Sequence, residues 1–144
     1  METKRKAFKI VVGVVAAFSL STSSLLVAQA RKGGNPKAAA LKNPVKPTED
    51  SIRRGRQAYM KACRHCHGAN ALGDGPLAPK NPMPANLTDD RWDYGSTDGE
   101  IFTIIASGAG GDSEMKGVRG EMTTTDMWHI VNYLRSIGPS PPNP

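Results

Sequence analysis

The chain has 144 residues, enough for one domain and a leader, and only 38% of them are hydrophobic. Its formal charge of +6 is uneven, with +3 on residues 1–30, +6 on residues 31–56 and −3 on residues 57–144. The basic excess thus lies ahead of the main domain, which leaves no identifiable basic face for nucleic acid.

Residues 1–30 read as an export signal. Lys4 to Lys9 form a basic start, Ile10 to Leu20 an apolar run, and Ala28-Gln29-Ala30 a small-x-small cleavage site. The competing reading is an uncleaved anchor, since Ile10 to Ala30 is just long enough to span a bilayer. Both place the domain outside the cytoplasm, in the periplasm or facing it. Residues 31–47 hold Gly33-Gly34, Pro36, Pro44, Pro47 and several lysines with no hydrophobic period. They are expected to form a linker.

Thr48 is a candidate N-cap, with Glu49 and Asp50 favourable in the turn that follows. Ile52, Gly55, Tyr59 and Ala62 then fall on one helical face. A glycine inside a helix costs about 1 kcal/mol against alanine, so Gly55 suggests that another helix crosses closely there.

That helix runs into Cys63-Arg64-His65-Cys66-His67, the attachment signature of c-type haem. Each thiol can add to one porphyrin vinyl group, and the two-residue spacer puts both sulfurs on one edge of the ring. His67 is then directed beneath the iron as its proximal ligand. A thioredoxin-type dithiol would follow a strand, and none is suggested upstream of Cys63. A structural zinc site needs four ligands, whereas Cys63 and Cys66 are the only cysteines and His129 is remote.

Gly68 to Pro84 is a loop punctuated by glycine and proline. Trp92 and Tyr94 are the expected buried anchors of the polar stretch that follows. Thr97-Asp98-Gly99-Glu100 is a capping box that starts a second helix, with Ile101, Phe102, Ile104 and Ile105 as its apolar residues and Gly108 as its end. The glycine-rich stretch to Gly120 contains Met115. Thr123 caps a last helix with the stripe Met127, Ile130, Val131 and Leu134, ended by Gly138-Pro139. Residues 139–144 form a tail. The plan is all-α: three core helices and long loops around one covalent haem c.

Over roughly residues 48–138 the chain resembles the class I cytochromes c. The resemblance rests on the attachment motif, on Gly55 and Tyr59 eight and four residues before Cys63, and on Trp128 thirteen residues after Met115. It implies that Gly55 and Tyr59 meet Ile130 and Tyr133 on the last helix. It also implies that the carbonyl of Pro76, in the Gly75-Pro76 pair, accepts the His67 Nδ1–H. Met115 would be the distal iron ligand, although Lys116 and Val118 stand where the family usually has proline and an aromatic.

Among the other methionines, Met60 lies too close to Cys63 and Met127 is on the core stripe, while Met83 and Met122 remain rivals because both sit in loops. His129 reads as a half-exposed helical residue. The function implied is single-electron transfer between redox partner proteins, as a carrier or as a subunit of a larger complex, with no catalytic residue of its own. The alternative is a haem enzyme or gas sensor with an open distal site. A single attachment motif excludes a di-haem enzyme on this chain.

Overall fold

A computed structural model describes residues 34–111 and 113–139. The leader, its cleavage site and the end of the tail lie outside these residues. Among the described residues five helices follow one another: α1 (Pro36–Ala39), α2 (Glu49–Ala62), α3 (Arg64–His67), α4 (Asp98–Ser107) and α5 (Thr124–Ile137). Among the described residues the only β pairing is two isolated bridges, so the architecture is all-α. The three long helices are the expected ones. Each begins at its expected cap, because Thr48, Thr97 and Thr123 accept from the backbone N–H of Ser51, Glu100 and Asp126.

The centre of the fold is the crossing of α2 and α5. A Cβ built on Gly55 would lie 1.9 Å from the His129 carbonyl oxygen and 2.9 Å from the Tyr133 Cβ. Backbone meets backbone there, and only glycine leaves room. The atoms nearest to Gly55 belong to His129 and Tyr133 of α5. One turn along α2, the rings of Tyr59 and Tyr133 pack at 5.3 Å and 56°. Helix α4 closes the other side of α5, where Phe102 and Trp128 stack at 4.0 Å and 9°.

The stretch before α2 differs from the linker expected of it. Asn35 accepts from the N–H groups of Lys37 and Ala38, and Pro36 occupies the first position of α1. This short helix lies on α4, where a Cβ on Gly99 would meet the Ala38 carbonyl at 2.0 Å. Farther along, Asn43 Nδ2 donates to Asn132 Oδ1 at 2.9 Å, and Asn132 Nδ2 donates to the Val45 carbonyl at 3.0 Å and to Ser51 Oγ at 2.8 Å. Asn132 is buried on α5 with its amide fully engaged. Residues 34–47 are thus a strap laid across α4 and α5. Hydrophobic periodicity misses it because polar side chains hold it.

Two variants test this arrangement. Gly55→Val should destabilise the haem-loaded protein by about 3 kcal/mol, since a backbone carbonyl must move to admit the side chain. Thermal melting followed by circular dichroism reads the effect, and an unchanged midpoint removes the crossing from the argument. Asn132→Leu removes the bond from the Asn43 amide, which keeps only its contact with the Trp128 carbonyl, and strands the Val45 carbonyl, at a cost of about 1–3 kcal/mol. Cleavage within residues 34–47 under limited proteolysis should then become faster than in the wild type; equal resistance would mean that the strap is held elsewhere.

Candidate haem site

The attachment motif is a single helical turn closing onto the end of α2. The N–H groups of Cys66 and His67 both donate to the Cys63 carbonyl, at 3.2 and 2.9 Å. This turn places Cys63, Cys66 and His67 on the wall of one cavity. A helix end leaves carbonyls without partners, and here the next loop supplies donors to three of them. Leu77 N donates to His65 O at 2.7 Å, Gly75 N to Cys66 O at 3.0 Å and Gly73 N to His67 O at 2.9 Å. Tyr59 Oη donates to the Gly68 carbonyl at 2.7 Å. Burial pushes the pKa of that phenol up, which keeps it protonated as a donor. Gly75 is needed for contact, since a Cβ there would lie 2.3 Å from the His65 carbonyl oxygen.

The buried ring of His67 turns away from this loop. Its Nδ1 lies 3.1 Å from the carbonyl oxygen of Ala85, not of Pro76. Gly75 is packed against the backbone of the motif itself, and the acceptor comes from the segment 84–87 of the cavity wall. That segment is anchored by Leu87 N donating to Ala71 O at 2.8 Å. A carbonyl can only accept, so Nδ1 carries the proton and Nε2 keeps its lone pair for a metal. Burial lowers the His67 pKa, opposed by the bond to Ala85, and this favours the neutral ring that ligation requires.

The cavity has a volume of 530 Å³, within the range of about 300–1,000 Å³ common to cofactor sites. Ile101, Ile105, Ile130 and Leu134 give it an apolar wall, and Asn86, Trp92 and Tyr94 also line it. Met115 enters from the loop between α4 and α5. Its carbonyl accepts from Ala109 N at 3.2 Å, while Val118 N and Arg119 N donate to the carbonyls of Ile105 and Ala106 at 2.9 and 3.1 Å. Of the rival methionines, Met83 lies on the cavity's rim and is 67% exposed. Met122 packs against the core cluster, and Met127 is buried in it. His129 is bonded through Nδ1 to Ser51 Oγ at 2.8 Å and is not on the cavity wall.

The donor set fits a covalently held haem and does not fit the other two uses of C-x-x-C. Cys63 and Cys66 are free thiols facing an apolar space. Burial, and then the neighbouring Cys66, pushes the Cys63 thiol up to about 12. A dithiol exchanger needs the opposite shift. Among the described residues, no three His, Cys, Asp or Glu side chains gather as a metal site, so zinc has no set of ligands. Sequence reasoning missed the Ala85 carbonyl, which no residue-type signal could reveal because every residue carries one.

Comparison with known proteins agrees with the geometry. The family described as cytochrome c oxidase, cbb3-type, subunit III matches residues 50–134. The cbb3-type cytochrome c oxidase subunit FixP of Azorhizobium caulinodans is 30% identical over 88 residues, 61% of this chain and 28% of that protein. FixP of a Bradyrhizobium species is 32% identical over 84 residues, 58% of this chain and 27% of its own. The chain therefore spans little more than a quarter of the length of these relatives.

Among solved structures, a reducing HAO-like protein complex of Kuenenia stuttgartiensis aligns with a TM-score of 0.60 and 26% identity, over 69% of this chain and 48% of that one. Cytochrome cL of Methylophaga aminisulfidivorans aligns with a TM-score of 0.52 and 28% identity, over 68% and 58% of the two chains. With the family match extending across α2 to α5 and the cavity between them, the chain belongs to the cbb3-type subunit III family and is a class I c-type cytochrome whose cofactor is covalently bound haem c.

Proposed function

We propose that the domain is a mono-haem electron carrier, or the carrier subunit of a larger redox complex. In this reading Cys63 and Cys66 form the thioethers, and His67 and Met115 are the axial ligands. The observation that carries it is the convergence of His67 and Met115 on one apolar cavity, with His67 Nδ1 committed to Ala85. Bound haem supplies the one-electron iron couple. The chain's own residues decide how that couple behaves.

The Ala85 carbonyl fixes the imidazole's orientation and raises the basicity of Nε2. The Met115 thioether, a soft neutral donor, favours the ferrous state and so raises the reduction potential. With both axial positions taken by side chains, no substrate reaches the metal, so the domain carries electrons and is not itself an enzyme. The isoleucines and Leu134 exclude water from the ring, which limits the reorganisation that accompanies electron transfer.

Domains of this kind work outside the cytoplasm, and the leader in residues 1–30 provides the route there. Cleaved, it releases a periplasmic protein; uncleaved, it tethers the domain through its N-terminus. No helix among the described residues is long and apolar enough to cross a membrane. The partners are other redox proteins, met through the small, wet interfaces of brief encounters. The FixP relatives are subunits of cbb3-type oxidases, which supports a respiratory setting for this carrier.

Carbon monoxide added to the reduced, haem-loaded protein at neutral pH tests the ligand set. No change in the visible spectrum is expected, because Met115 holds the sixth position. Rapid, complete binding would replace the carrier with an enzyme or sensor that has an open distal site. Met115→Ala should bind carbon monoxide and lower the midpoint potential by on the order of 100 mV, within the roughly 0.8 V span that axial ligands command. An unchanged potential would transfer the role to another residue, Met83 first. Cys63→Ser combined with Cys66→Ser should yield protein without covalent haem and without compact helical structure; a folded apo-domain by circular dichroism would contradict this.

A further inference from the structure

Arg135, in the last turn of α5, is a cation with no part in the site described so far. Its side chain is only 13% exposed, and its Nε donates to Asp98 Oδ1 at 2.8 Å. The same guanidinium donates to the carbonyl of Ser96, which is buried. Its central carbon lies 5.8 Å from the centroid of the Trp92 ring. Trp92 is on the cavity wall, as is Leu134, the neighbour of Arg135 along the chain.

One planar group therefore ties three pieces of the cavity's frame: the end of α5, the start of α4 and the indole between them. A guanidinium suits this task. Its fork serves a carboxylate and a carbonyl at once while its face lies over a ring. The cation–π contact strengthens as the pair is desolvated.

We propose that Arg135 is a positioning residue for the redox site. It holds the Trp92 indole against the haem cavity and keeps that part of the wall dry, and it thereby contributes to the haem's reduction potential. The inference rests on the haem reading given under Proposed function and adds to it a residue that touches no cofactor atom. The Asp98 carboxylate offsets the charge of the guanidinium, so the effect travels through the placement of Trp92 and not through a net field. Letting water reach the ring favours the more highly charged ferric state, so loosening Trp92 lowers the potential.

The test is a double-mutant cycle read by spectroelectrochemical titration of the full-length, haem-loaded protein. Arg135→Met should shift the midpoint potential downward. In a Trp92→Leu background the same substitution should produce only a small fraction of that shift. Arg135→Lys keeps the charge but loses the fork and the flat face, and it should resemble Arg135→Met. It also decides the matter alone if Arg135→Met fails to retain haem. The proposal is overturned by equal shifts with and without Trp92, by a lysine variant with the wild-type potential, or by variants that melt earlier at an unchanged potential. A failure of the haem reading would look different, as wild-type protein lacking a covalent haem spectrum.

Discussion

The contact on which the rest depends is the approach of α5 to α2 at Gly55. A carbonyl that would sit 1.9 Å from any Cβ leaves a single residue type at that position. The consequence runs along α2 in steps of one turn. From Gly55 the same face carries Tyr59, which packs on Tyr133, and then Cys63, which faces the cavity. Ile130 and Leu134 of α5 reach the same cavity. The crossing therefore aims both helices at the space where the cofactor is held. A bulkier crossing would separate the cysteines from the apolar wall opposite them.

A chain whose main interior space is set aside for a cofactor has less hydrophobic contact of its own with which to hold its parts. Here buried polar groups take up part of that work. Asn132 uses both amide protons and its oxygen to join α5, the start of α2 and the strap. Glu100 closes its own capping box and also accepts from the backbone N–H of Asn35 at 3.0 Å. Among the described residues no buried side-chain nitrogen or oxygen lacks a partner. Each satisfied bond contributes about 1 kcal/mol net, yet leaving such a group unpaired costs about 1–3 kcal/mol. That asymmetry makes the network specific. In this position of the strap all of these groups are bonded.

What could be read in the sequence and what could not follow the same division. Local chemistry was legible: the three threonine caps, the capping box at Glu100, the attachment motif and the helix-interior glycine all act within a few residues of themselves. The strap was not, because Asn43 and Asn132 are 89 residues apart and carry no periodic signal. The acceptor for His67 could not be read either. A glycine–proline pair at the family spacing pointed to Pro76, but the actual acceptor is a main-chain oxygen that the fold brings from 18 residues away. Arg135 stands in the last turn of α5, and no motif in the sequence marks it. Its neighbours Ser96, Asp98 and Trp92 appear only once α4 and α5 are packed.

The loop that carries Met115 shows how a missing sequence feature is replaced in three dimensions. Lys116 stands where the resemblance to class I cytochromes c leads one to expect proline, so no proline ring stiffens the backbone after Met115. Gly110 and Gly111 nearby have positive φ, and a Cβ on either would meet no neighbouring atom. The restraint comes from the near side. Gly108 and Lys116 form an antiparallel bridge, and residues 118 and 119 are hydrogen-bonded to the last turn of α4. Gly117 lies so close to α4 that a Cβ there would be 2.4 Å from the Ala106 carbonyl oxygen. Ile101 and Ile105 of that helix line the cavity, so the methionine is referenced to the same element that shapes the wall. If Met115 is the axial ligand proposed above, being held through the backbone of a helix keeps it in place in both oxidation states as long as the helix stays. Electron transfer without a change of ligand requires that constancy.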